Sequence, residues 1–142
     1  MSKKFVFAFL IGLLLIKCDR ILQPEYELVS VSTDKSVYDL SKPIHVIIKN
    51  DASKDIQLEY CGPYIQCWFI CRWIDDRWEN LGGFNCPNLY TITLKTLKPG
   101  RSIEFEYPLH EPGRYRYGLM FCWAGEKSKH IVYSEEFQVG RE

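Results

Sequence analysis

Pro112-Gly113-Arg114-Tyr115-Arg116-Tyr117-Gly118-Leu119-Met120-Phe121-Cys122-Trp123 is the stretch whose reading decides the fold. A Pro-Gly turn releases it, and Tyr115, Tyr117, Leu119, Phe121 and Trp123 then recur at every second position. Successive side chains of a strand point to opposite sides, so this period of two predicts a strand with one face in a core. The opposite face carries Arg114, Arg116, Gly118, Met120 and Cys122 and is expected to be less buried. A strand so long and aromatic predicts the centre of a β-sandwich.

Outward from it, short apolar runs are punctuated every 8–12 residues by turn chemistry, the spacing of an all-β sandwich. Residues 26–33, 44–50, 56–60, 68–74, 77–81, 91–94, 102–107 and 131–139 read as strands. The run 44–50 is rich in β-branched residues, which suit a pleated half-buried surface. Asp75-Asp76 makes a tight turn between residues 68–74 and 77–81, joining them as a hairpin. Leu81-Gly82-Gly83-Phe84-Asn85-Cys86-Pro87-Asn88 is the longest loop signal. No stretch shows sustained helical periodicity.

The chain has 142 residues, 46% hydrophobic and 15% aromatic, enough for one packed domain and too apolar for disorder. Lys3, Lys4 and Lys17 account for three of the 18 positive side chains. Residues 18–142 therefore hold 15 Lys and Arg against 18 Asp and Glu, a net of −3. A weakly acidic domain without a basic cluster argues against nucleic-acid binding.

Residues 1–17 read as an export signal. Lys3-Lys4 precede a twelve-residue apolar run from Phe5 to Ile16, too short to span a bilayer. Leu15-Ile16-Lys17-Cys18 then resembles a bacterial lipobox, with Lys17 where Gly, Ala or Ser is usual. The resemblance implies lipidation of Cys18. Residues 18–25 form a tether, and residues 26–142 form the folded domain.

The order of several turn motifs carries a second resemblance. Val37-Tyr38-Asp39-Leu40-Ser41-Lys42-Pro43-Ile44 leads into a strand ending in Asn50. Leu97-Lys98-Pro99-Gly100, Pro112-Gly113-Arg114-Tyr115-Arg116 and a closing Ser134-Glu135-Glu136-Phe137-Gln138-Val139 follow. Together they are similar to the bacterial immunoglobulin-like domains of secreted proteins and lipoproteins, over roughly residues 26–139. Leu40-Ser41 replaces the glycine step usual in the first motif. The resemblance implies an immunoglobulin-like antiparallel β-sandwich of about seven to nine strands. In such a domain Tyr115 either locks a corner by bonding to upstream backbone or is simply a buried aromatic.

Six cysteines in an exported chain point to disulfides. With Cys18 lipidated, five remain. Cys61 and Cys86 both lie in turn contexts, and a bridge between them would brace the long loop. Cys122 needs a partner from an adjacent strand, and Cys71, central in its own strand, is the expected one. A metal site is the alternative for Cys67 and Cys71, but no second ligand pair matches them. No metal or cofactor is expected.

Catalysis needs a nucleophile, a base and an orienting group together, and no such constellation is visible. Binding has more support. Trp68, Phe69, Trp73, Trp78, Phe84, Tyr60, Tyr64 and Tyr90 crowd residues 60–90, more rings than a two-sheet core readily buries. Phe69, Trp73, Arg116 and Met120 form a candidate outer patch, since exposed rings beside arginine are common at binding hot spots. The alternative is a face covered by the 82–90 loop. The expected function is a non-enzymatic, lipid-anchored envelope protein that binds a protein or glycan. An exported protease inhibitor acting through its loops and a purely structural envelope module are the alternatives.

Overall fold

In the computed structural model, which describes residues 24–83 and 85–140, β10 (Gly113–Trp123) is the spine. Its alternation is realised: Tyr115, Tyr117, Leu119, Phe121 and Trp123 are all buried. Fully burying a side chain of this size contributes roughly 1.5–3 kcal/mol, so this one strand supplies a large share of the core.

One edge of β10 pairs first with β12 (Phe137–Val139), through Tyr115 and Phe137, and then with β11 (Lys129–Tyr133), through Gly118 and Tyr133. The other edge pairs with β6 (Trp68–Ile74) from Tyr115 to Leu119, then with β4 (Ile56–Cys61) at Cys122 and Trp123. Beyond β6 lies β7 (Arg77–Gly83). Beyond β4 lie β8 (Ile92–Leu97) and the two-residue β5 (Tyr64–Ile65). The short β2 (Val37–Tyr38) pairs in parallel with β12 and completes a nine-stranded sheet.

A second, antiparallel sheet of three strands covers the core face: β1 (Val29–Thr33), β3 (Pro43–Asn50) and β9 (Ser102–Pro108). Ile44, Val46 and Ile48 of β3 point inward, flanked by Val29 and Val31 of β1 and by Ile103 and Phe105 of β9. The result is an all-β, sandwich-like fold.

Two polar devices hold its corners. Asn50 is fully buried, and its amide donates to the Lys54 and Leu97 carbonyls at 2.9 Å while accepting from Ala52 N–H at 3.1 Å. Buried polar groups satisfied in this way avoid the desolvation cost of an orphan. Tyr115 Oη donates to the Glu111 carbonyl at 2.9 Å, across the turn that launches β10. Of the two expectations for Tyr115, the bond to upstream backbone is therefore present.

The structure corrects several boundaries. Residues 25–28 are a 3₁₀ turn rather than the start of the first strand, because Glu27 N–H and Val29 N–H close back on the Pro24 and Tyr26 carbonyls. The strand expected over 131–139 is two strands. Ser134 breaks it: its Oγ accepts from Tyr117 N–H and donates to Glu135 O. With the short β2 and β5, this raises the count from the expected seven to nine strands to twelve among the described residues. The hairpin is as expected: Asp75 and Asp76 have φ of 48° and 60°, the doubly positive pattern of a two-residue hairpin turn. The export segment 1–17, Cys18 and the tether as far as residue 23 lie outside the described residues.

Candidate functional site

The outer face of the nine-stranded sheet is built in rows by strand register. Tyr133 of β11, Gly118 of β10, Phe69 of β6 and Gly83 of β7 lie side by side in one row. Arg116, Cys71 and Asn80 form the next, and Trp73 stands opposite Trp78 beyond it. Because alternate residues share a face, these rows bring every second residue of β10 and β6 to one surface.

There they enclose a cleft of about 550 Å³, with Phe69, Trp78, Arg116, Met120, Ile131 and Tyr133 among its lining residues. The Arg116 guanidinium carbon lies 4.5 Å from the Trp78 ring centroid and 4.1 Å from that of Tyr133. A cation held against two ring faces is stabilised by both quadrupoles. Phe69 meets Tyr133 edge-on at 5.9 Å, and Trp73 meets Trp78 at 5.2 Å. Arg114 sits 5.2 Å from the Trp73 ring and is paired with Glu136 at 2.5 Å.

Of the expected patch, Phe69, Arg116 and Met120 line the cleft, and Trp73 stands at its end against Trp78. Sequence reasoning left out Trp78 as a patch member, together with Tyr133, Asn80 and Ile131. The tight Asp75-Asp76 turn was the available signal for Trp78, since it fixes the Trp73–Trp78 pairing. Tyr133 depends on a longer connection from β10 to β11, whose register no turn residue specifies.

Of the described residues of the 82–90 segment, Gly82 and Gly83 at the end of β7 line the cleft and residues 85–90 do not. A disulfide joins Cys61 to Cys86, with Cα atoms 5.6 Å apart, as expected from their turn contexts. Tyr90 packs on Gly62, where a Cβ would fall 2.7 Å from the tyrosine ring. Both contacts fix this loop at the end of β4, and none of residues 85–90 lines the cleft.

The expected Cys71–Cys122 bridge is absent: both are free, as is Cys67. Cys71 lies opposite Arg116, six residues along β10 from Cys122, which faces Gln57 and Lys129. At about 3.4 Å per residue that is roughly 20 Å, far beyond the span of a disulfide. Cys67 is buried, and burial pushes its thiol up to about 12. Among the described residues no three His, Cys, Asp or Glu side chains come together as metal ligands, and no helix is long and apolar enough to cross a membrane.

No protein-family model matches this chain, and no curated protein does. Among solved structures it is similar to Spo0M, a sporulation control protein from Bacillus subtilis, with 15% sequence identity and a TM-score of 0.45. The match covers 80% of this chain and 49% of that one, so the chain spans about half the length of Spo0M.

Proposed function

We propose that this is a non-enzymatic envelope protein, exported and anchored through a lipid on Cys18, whose immunoglobulin-like domain binds a partner protein or glycan on its outer sheet face. The observation that carries the reading is the row of partly buried rings around Arg116, which residues 85–90 do not line. Phe69, Trp73 and Trp78 stay only partly buried in a completed fold. Half-buried rings beside an arginine are the composition of a recognition surface rather than of a solvated one. The immunoglobulin-like assignment draws its support from the order of the turn motifs and from the Tyr115–Glu111 corner bond.

The chain enters the domain at the Trp123 end of β10. The 25–28 turn is fixed near Trp123: Tyr26 stacks on His130 at 5.7 Å, His130 lies 5.8 Å from Trp123, and Lys54 pairs with Glu25 at 3.1 Å. Arg114 and Trp73 lie at the opposite end of β10, about 30 Å away at 3.3 Å per residue.

The test has two parts. Intact mass spectrometry of the exported chain is expected to give a diacylated Cys18, and an unlipidated N-terminus would remove the anchor. Retention of the purified domain on immobilised envelope material is expected to fall at least tenfold in Trp73→Ala and Trp78→Ala, each checked for native near-ultraviolet dichroism. Unchanged retention in both folded variants would remove the binding face.

A second reading, protease inhibition, is favoured by Leu89. It is 93% exposed on the loop that the Cys61–Cys86 bridge braces. Incubation with chymotrypsin separates the two: an inhibitor suppresses the protease and keeps the Leu89–Tyr90 bond, whereas an ordinary loop is cut there without effect on the enzyme.

A further inference from the structure

Arg116 differs from its neighbours on this sheet. Arg72 is paired with Glu111, Arg77 with Glu79 at 2.7 Å and Arg114 with Glu136, but Arg116 has no acidic partner among the described residues. Glu59 lines the same cleft, yet it is held by Lys129 at 3.3 Å. The Nε of Arg116 is buried without an acceptor, and the Oε1 of Gln66, another lining residue, is buried without a donor. No ion pair among the described residues engages the terminal Nη atoms, which leaves the end of the guanidinium fork as its binding edge. Stacking on Trp78 and Tyr133 already fixes the orientation of the fork, so little side-chain freedom is lost when an anion arrives.

Resting on the reading of this face as the recognition surface, we propose that the cleft binds a uronic-acid glycan. The carboxylate of the sugar is received end-on by the two Nη groups of Arg116, and the pyranose rings lie against the flanking aromatic side chains. A planar fork matches a carboxylate at two points, which a sulfate-free neutral sugar cannot exploit. The surroundings favour a sugar over an acidic peptide. The floor of the cleft is formed by β6 and β10, whose amides and carbonyls are engaged by neighbouring strands, while β7 and β11 flank it and are each paired on one side only. An extended peptide gains its affinity from free main-chain groups at a sheet edge, and the floor between β6 and β10, where Arg116 stands, offers it none. A pyranose needs only ring faces for its C–H surface and a few polar groups for its rim. Phe69, Trp78 and Tyr133 supply the first, and Gln66, Asn80 and Arg116 the second. The volume of about 550 Å³ lies within the range of small-ligand sites.

Calorimetric titration of the full exported chain with trigalacturonic acid tests this, with its methyl ester and triglutamate as comparison arms. Trigalacturonate is expected to bind, more weakly as salt rises. The methyl ester and triglutamate are each expected to bind at least tenfold more weakly. Arg116→Lys is expected to lose at least tenfold in affinity for trigalacturonate, because a point charge cannot reproduce the two-point contact. Absence of trigalacturonate binding, or equal binding of the ester or by the folded Arg116→Lys variant, overturns the proposal. Triglutamate binding as tightly as trigalacturonate overturns the choice of a sugar. Retention on envelope material that is lost in Trp78→Ala but unchanged in Arg116→Lys overturns the carboxylate while leaving the face as the recognition surface. Retention unchanged in both overturns the two readings together.

Discussion

Gly118 lies directly beneath the ring of Phe69: a Cβ at position 118 would fall 2.2 Å from Phe69 Cζ and 2.4 Å from Cε2. The glycine is needed for that close approach, and it sets the depth of the cleft floor. Gly118→Ala is expected to cost about 1–3 kcal/mol by overpacking. Combined with Phe69→Leu it should recover part of the loss, giving a coupling of at least about 0.5 kcal/mol in a denaturation double-mutant cycle. Strict additivity would place the strain elsewhere.

Tyr117 is fully buried among Trp68, Phe105 and Phe137, and its hydroxyl has no hydrogen-bond partner. An unsatisfied buried hydroxyl costs free energy that a phenyl ring does not. Tyr117→Phe is expected to be neutral or to stabilise by up to about 1 kcal/mol, read from the urea midpoint. A loss above about 1 kcal/mol would mean that the hydroxyl is satisfied.

Alkaline pH should unfold the domain through buried acids. The Cys67 thiol is raised from an ordinary 9.0 to about 12 by burial, and burial also raises Tyr117 above its ordinary 10.0. Both hold their proton more tightly when folded than when unfolded. The Cys67 contribution is therefore complete below about pH 9 and is lost as pH climbs toward about 12, and that of Tyr117 is lost only as pH rises further above its ordinary 10.0. Unfolding free energy is expected to fall by up to about 1.4 kcal/mol per pH unit for each group. Urea titrations from pH 8 to 11 should show this slope, shallower in Cys67→Ala; a flat profile would contradict it.

The Cys61–Cys86 bridge closes a loop with a sequence separation of 25. A cross-link over such a loop restrains the unfolded chain and is expected to contribute about 3 kcal/mol. Cys61→Ser should lower the melting temperature and speed chymotryptic cleavage of the Leu89–Tyr90 bond. Unchanged cleavage rates would show that Tyr90 packing alone holds the loop.

The fold was legible wherever chemistry was local. The alternation of Tyr115 to Trp123 survived intact because both faces of β10 have fixed destinations, and the Asp75-Asp76 turn fixed its own hairpin. The turn contexts of Cys61 and Cys86 pointed to a bridge because both belong to one end of β4. Pairings between strands distant in sequence were not legible. Cys71 and Cys122 looked compatible in side-chain direction, but only the β6–β10 register places Cys71 opposite Arg116. Ser134 read as an ordinary strand residue, since nothing local announces that its hydroxyl will bond Tyr117 N–H. The patch was legible in Phe69, Trp73, Arg116 and Met120, while Tyr133 entered it only through tertiary pairing with Gly118.

Hydroxyl-radical footprinting of the exported chain, with and without envelope material, tests the recognition face most directly. Protection is expected at Phe69, Trp73, Trp78, Met120 and Tyr133, with Leu89 and Tyr90 unchanged. Protection confined to Leu89 and Tyr90, or none at the five cleft residues, would contradict it.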